Sequence, residues 1–257
     1  MTYLPRVAAA TEAEWPDLAV ELDRWEEAGL SASLWWRDDD AVASTPQLDR
    51  LLRLARGVPL ALAVIAAEAR ASLARALDPF PRVAVLHHGW CHANRATAGK
   101  KSEYPAERHP VEVADELDEG RKQLRALFGL RALPVFVPPW NRFADRFVPL
   151  LVEAGFRALS QQAPRGNPLP AGIDAIDVHL DVTDWQGDRG FIGTGRALGR
   201  LIAELRARRE SWDDGAIGLL THHLVMDNAT EDFLARLGET VAGRRGVYWC
   251  SAAELLQ

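Results

Sequence analysis

The chain has 257 residues, 48% of them apolar and 26% charged, which places it among globular proteins and excludes a disordered or fibrous class. A formal charge of -6, with Lys and Arg scattered among acids, leaves no basic footprint and excludes nucleic acid as the expected partner. No apolar run reaches the roughly 18 residues that a membrane span needs, and Cys91 and Cys250 are too few and too far apart for a disulfide framework.

Short β-rich runs then alternate with longer amphipathic ones along the chain. The first strand is expected over 32–37 and ends in Asp38-Asp39-Asp40. Strands over 59–65 and 82–87 follow, the latter running into His88-Gly89-Trp90-Cys91-His92. After Pro110, the residues Val113, Leu117, Leu124, Leu127 and Phe128 recur at helical spacing, with Gly129 as a C-terminal cap. A strand over 134–137 ends in Pro138-Pro139-Trp140-Asn141-Arg142, and a helix over 143–154 leads to a strand over 156–160. A strand over 175–181 ends in Asp181 to Trp185, a helix covers 196–208, and a strand over 216–222 ends in His222-His223. A helix over 230–241 and an edge strand over 247–250 complete the pattern. Seven β/α units without a dividing linker predict one domain, 1–257, built as a β/α barrel that need not close fully.

In such a barrel the chemistry sits in the loops after the strands, and here the strand ends are where the polar residues collect. His88 and His92 are spaced so that two imidazoles can reach one cation if the segment makes a single turn. Three adjacent carboxylates at 38–40 repel one another unless a cation or a basic partner offsets them. One carboxylate with two imidazoles makes three protein ligands and leaves room for water and substrate, and a neighbouring carboxylate suits a general base. His222 and His223 supply a candidate acid, because imidazole changes protonation state near neutral pH. Cys91 is read as a bystander, and Trp90, Trp140 and Trp185 as aromatic faces available to a sugar.

Taken together, these motifs resemble the polysaccharide deacetylase family, the NodB-homology carbohydrate esterases, whose fold is a distorted (β/α)7 barrel. Trp36-Arg37-Asp38-Asp39-Asp40 is similar to the family's Thr-Phe-Asp-Asp-Gly, and His88-Gly89-Trp90-Cys91-His92 matches its His-Ser/Thr-x-x-His. Val137 to Asn141 resembles the third motif with Val137 in place of the usual arginine. Asp181, Asp184 and Trp185 match Asp-x-x-Asp-Trp, and Leu220-Thr221-His222 matches Leu-x-His. On that register the resemblance implies Asp38 as base, Asp39 with His88 and His92 as metal ligands, and His222 as acid. Asn94, Trp140, Asn141, Arg142, Asp184, Trp185 and His223 are the implied substrate contacts. Arg142, or failing that Arg37, is the expected replacement for the missing motif-three arginine.

The implied activity is removal of an acetyl or other acyl group from the nitrogen of an amino sugar or glycoconjugate, with one divalent ion, zinc first, as cofactor. Hydrolysis of another amide or imide bond, an inactive carbohydrate-binding homologue and a non-haem iron oxygenase stand as alternatives. The substrate is expected to be a small molecule or glycoconjugate. The N-terminus lacks a basic region followed by a long apolar core, so a cytoplasmic location is expected.

Overall fold

Residues 11–256 are described by the structure, a computed structural model; most of the N-terminal stretch that bears on the expected location lies outside them. The β-branched and aromatic runs form nine strands in one sheet, every pair parallel. These are β1 (Ala32–Ala41), β2 (Leu60–Val64), β3 (Val83–His87), β4 (Ala132–Phe136), β5 (Ala158–Leu159), β6 (Asp174–Ala175), β7 (Leu180–Asp181), β8 (Ile217–Thr221) and β9 (Val247–Trp249). The order across the sheet is β6-β5-β4-β3-β2-β1-β8-β7, with β9 also paired to β1.

This is the expected distorted β/α barrel. The strand expected over 175–181 is instead divided: β6 and β7 lie at opposite edges, and the chain between them crosses the seam with a single bridge, Gln162 to Val178. The barrel is therefore closed by a connecting segment rather than by a full ladder.

Among the described residues seven α-helices cover the outer face: α1 (Trp15–Glu27), α2 (Pro46–Leu54), α3 (Ala71–Leu77), α4 (Pro110–Phe128), α5 (Val148–Glu153), α6 (Thr194–Ser211) and α7 (Asn228–Ala242). Proline opens several of them in the first turn, where its missing N–H costs no helical bond. None of the described helices is long and apolar enough to cross a membrane.

Alternation along the strands separates two cores. Trp35, Ala61, Ala63, Leu86, Val135, Val137 and Leu220 fill the barrel interior, where the small or β-branched Ala61, Ala63, Val135 and Val137 suit the narrow lumen. Leu34, Trp36, Leu62, Val85 and Leu219 face outward into the helices. The same parity decides the fate of the acidic run that follows on β1.

Candidate active site

Since Trp35 points inward and Trp36 outward, Arg37 and Asp39 return to the interior while Asp38 belongs to the outer face. Asp38 is indeed sealed there, with no exposed surface. It accepts hydrogen bonds from Thr221 Oγ1 at 2.6 Å and from His223 Nδ1 at 2.6 Å, and Trp36 Nε1 donates to Thr221 Oγ1 at 2.9 Å. Burial by itself would lower the pKa of His223, but the Asp38 carboxylate raises it above the ordinary value. The expectation of His223 as a substrate contact is corrected by this pairing: its ring is 1% exposed and engaged with a carboxylate.

Asp39 lies inside the barrel against Arg37, with Nε to Oδ1 at 2.9 Å and Nη2 to Oδ2 at 3.0 Å. Nη2 donates to Oδ2, whereas the Nε–Oδ1 approach is an ion-pair contact without hydrogen-bond alignment, so charge and one hydrogen bond hold the carboxylate in place. Arg37 is itself fixed by Ser160 Oγ at 2.7 Å and by Asn141 Oδ1 at 2.9 Å. The guanidinium anticipated from Arg142 thus comes from Arg37. Arg142 instead donates to the Lys101 carbonyl at 2.9 Å, so the structure does not bring it to a site carboxylate.

The pairing of β1 with β2 shifts register between Asp38 and Ala41, and Asp40 adopts φ 72°. Aspartate tolerates this left-handed region, and a bulge re-aims the side chain it carries. Asp40 Oδ1 lies 3.1 Å from His88 Nε2 and 3.3 Å from His92 Nε2. One ligand atom from each of Asp40, His88 and His92 falls within 4.8 Å of the other two. The carboxylate that converges with the imidazole pair is therefore Asp40; Asp39, expected in that place, is occupied by Arg37.

His88 Nδ1 donates to the Val137 carbonyl at 3.0 Å, which leaves its Nε2 facing Asp40. A second hydrogen bond of this kind fixes the ring and tautomer of a metal-binding histidine. Burial acts to lower His88, yet Asp39 and Asp40 bring it above its usual value; His92 is lowered by burial and by His88. Burial would raise Asp40, but its bond to His88 and the nearby imidazoles hold it below the usual carboxylate range. Two imidazoles and a carboxylate with converging lone pairs are the donor set of a catalytic divalent ion, and these residues fit one.

Glu103 was not singled out in the sequence, yet it organises the histidine turn. Its carboxylate is wholly buried and accepts from Trp90 N at 3.2 Å, Cys91 N at 2.8 Å and Cys91 Sγ at 3.2 Å. Gly89 has φ 59°, and a Cβ there would lie 2.1 Å from Glu103 Oε2, so only glycine fits between the turn and its anchor. A lone Glu eleven residues past His92 carries no motif, and only tertiary proximity reveals it.

Trp140 packs on His92 with ring centroids 4.4 Å apart, and Trp185 meets His222 edge to face at 4.7 Å. Trp185 is 48% exposed, as a rim platform requires. Asp181 accepts from Trp185 Nε1 at 2.7 Å and so sets the indole against His222, whose Nδ1 is buried with no protein partner. Asp184 is not in this cluster; its side chain caps its own loop at Gln186 N and Gly187 N and meets Arg196. Asn94 likewise accepts from Ala96 N and Ser102 N, bracing the loop after His92 rather than facing the site. Asn141 reaches the site only through Arg37.

Solved structures share this architecture. A protein from Mycobacterium smegmatis assigned as a polysaccharide deacetylase is 18% identical, with a TM-score of 0.66 over 98% of this chain and 94% of its own. The fold is that of the polysaccharide deacetylases. A family 4 acetyl xylan esterase from Clostridium thermocellum, solved with a cobalt ion, is 16% identical with a TM-score of 0.54, covering 87% of this chain and 89% of its own. A family 4 carbohydrate esterase from Streptomyces lividans, solved with acetate, is also 16% identical with a TM-score of 0.54, over 86% and 92%. No family model matches the sequence. No curated protein matches it either. The deacetylase fold is thus shared while the sequence has diverged widely.

Proposed function

We propose that this protein is a metal-dependent hydrolase that removes an acetyl or related acyl group from the nitrogen of an amino sugar or glycoconjugate. The observation that carries this reading is the rim itself: Asp40, His88 and His92 converge, and the preceding residue on β1, Asp39, is a carboxylate held by a guanidinium. A divalent ion held by those three residues, with zinc the first candidate, would supply Lewis acidity toward the acyl oxygen.

The chain's own groups account for the proton movements. Asp39, oriented by Arg37 and denied rotation by Asn141 and Ser160 behind it, accepts a proton from the attacking water. His222 delivers a proton to the departing amine nitrogen, and Trp185 holds its ring in place. The exposed faces of Trp185 and Trp140 offer apolar surface to a sugar ring. In this assignment Asp38 is a buried support rather than the base, and the roles expected for the acidic run move by one residue.

The valine at 137, where the family usually has an arginine, is compatible with an active site. Its side chain is buried in the barrel, its carbonyl orients His88, and the base-holding guanidinium comes from Arg37 on the same strand as the base. The test is acetate release from N-acetylated amino sugars and chito-oligosaccharides by metal-loaded and chelated protein, alongside cyclic amides. Metal-dependent acetate release supports the reading. Ring opening of the cyclic amides without acetate release transfers the site to the other amide or imide hydrolases.

A further inference from the structure

His87 ends β3 and His88 follows it, their side chains facing opposite sides of the sheet, and only His88 belongs to the rim. His87 points outward with Val85, packed between Phe136 and Phe156 at ring distances of 5.4 and 5.3 Å. Its ring is 2% exposed, and neither nitrogen has a hydrogen-bonding partner in the protein. Gly120 on α4 makes room for it, since a Cβ there would lie 2.4 Å from His87 Nε2. A buried imidazole left without a partner destabilises the fold, and an apolar side chain of similar volume would not carry that cost.

The same imidazole lines a cavity of about 360 Å³ between α4 and the outer face of β3 and β4, a volume within the range of small-ligand pockets. Leu124, Ala132 and Phe156 provide apolar wall, Arg121 and Arg125 stand on the α4 side, and no carboxylate lines the space. Arg121 is held over the Phe156 ring at 5.8 Å and donates to the Ala154 carbonyl, so its charge is fixed beside the cavity. Two guanidinium groups without a facing acid, a buried donor-acceptor ring and apolar walls form a combination that a packed core has no use for.

We propose that this cavity is a second binding site, on the opposite side of β3 from the rim, for a small organic anion with an apolar body such as an aromatic carboxylate. The anionic head pairs with Arg121 and Arg125, the body lies against Leu124, Ala132 and Phe156, and a polar edge meets His87. The site is independent of the proposed hydrolase activity, because it is read by binding alone.

Benzoate is the probe, titrated into metal-loaded protein carrying isotope-labelled histidine, with the His87 ring signals assigned by their loss in His87→Leu. The expected result is saturable movement of the His87 signals, weakened about fivefold or more in Arg125→Gln, with benzyl alcohol and inorganic phosphate at least as much weaker than benzoate. His87→Leu should keep or raise the Tm of the free protein while losing the rise in Tm that benzoate gives the parent. Movement of the His88 and His92 signals alone would place the anion only at the rim and overturn the proposal. Equal affinity for benzyl alcohol, or unchanged benzoate affinity in Arg125→Gln, would overturn it as well; the arginine is exposed on α4, so its replacement tests the site without disturbing the core.

Discussion

Two carboxylates near the end of β1 face imidazoles, and they differ in almost everything else. Asp38 and His223 form a pair with 0% and 1% of their side chains exposed, closed over by Thr221 and Trp36. Asp40 meets His88 and His92 with 28% of its side chain exposed, at a bulge where the backbone has turned into the left-handed region. The chemical ingredients are the same, so composition does not distinguish a support from a reaction centre. Strand parity sends Asp38 outward, and the bulge turns Asp40 toward the histidine loop. Between them Asp39 keeps the inward parity of β1 and meets Arg37.

The comparison is broken most severely by removing the open carboxylate. Asp40→Ala takes away one of three converging ligand atoms, and the expected loss in divalent-metal affinity and in acetate release is on the order of 10³-fold, with little change in Tm. Metal titration by calorimetry checks it. Parent-like affinity in this variant would return the ligand role to Asp39. Asp39→Asn should behave differently, keeping the metal and lowering kcat by roughly 10²–10⁴-fold, because the group that takes the proton is gone while the ligand set is intact.

The sealed pair should fail in the opposite manner. Asp38→Asn leaves His223 buried without its counter-charge, and a broken buried pair costs about 3–5 kcal/mol, seen as a lower midpoint in urea. Metal affinity of the folded protein should stay within a few-fold of the parent. The pH dependence carries a sign. His223 has a folded pKa above its unfolded one, so its contribution is full below the unfolded value of about 6.5 and is lost as pH rises through the raised folded value. The parent should therefore lose part of its stability on going from pH 6 to pH 9, and Asp38→Asn should lose less over the same interval. Parallel pH profiles would mean that the pair contributes nothing through ionisation.

Much of this was legible in the chain. Strand ends, the His88–His92 spacing and the late His222 marked the rim, because metal and proton chemistry use few residue types and the β/α alternation tells where they gather. The register within Asp38-Asp39-Asp40 was not legible: the resemblance points to Asp39 beside the histidines, whereas the carboxylate that converges with them is Asp40. The paired Trp35 and Trp36 leave the parity of β1 ambiguous when both are apolar, and the bulge at Asp40 has no local signature such as glycine. Arg37 lies beside the acidic run, but nothing local in the sequence shows that its guanidinium turns back on Asp39, whereas Arg142 follows a strand end where polar chemistry collects. Asn94 and Asp184 looked like site residues by position but satisfy backbone N–H groups of their own loops, which short polar side chains do wherever a chain turns.

The smallest expected effect belongs to Glu103, which sharpens the comparison by asking what keeps the open site assembled without touching it. Its two oxygens accept from Trp90 N, Cys91 N and Cys91 Sγ, all in the turn that separates His88 from His92. A glutamine there has one accepting oxygen, and whichever way its amide lies, an NH2 group faces a backbone N–H. The turn must relax, and His92, held at φ 54°, moves with it. Glu103→Gln is therefore expected to weaken metal binding about tenfold, the scale of a lost outer contact, while kcat at saturating metal stays within a few-fold of the parent. The accompanying signature is at Cys91: burial and then Glu103 push its thiol above the ordinary value, so removing the carboxylate should speed its alkylation by iodoacetamide at neutral pH. Weaker metal binding together with faster alkylation assigns Glu103 to the turn. Unchanged metal affinity with a lower Tm alone would make it only a stabilising residue of the loop.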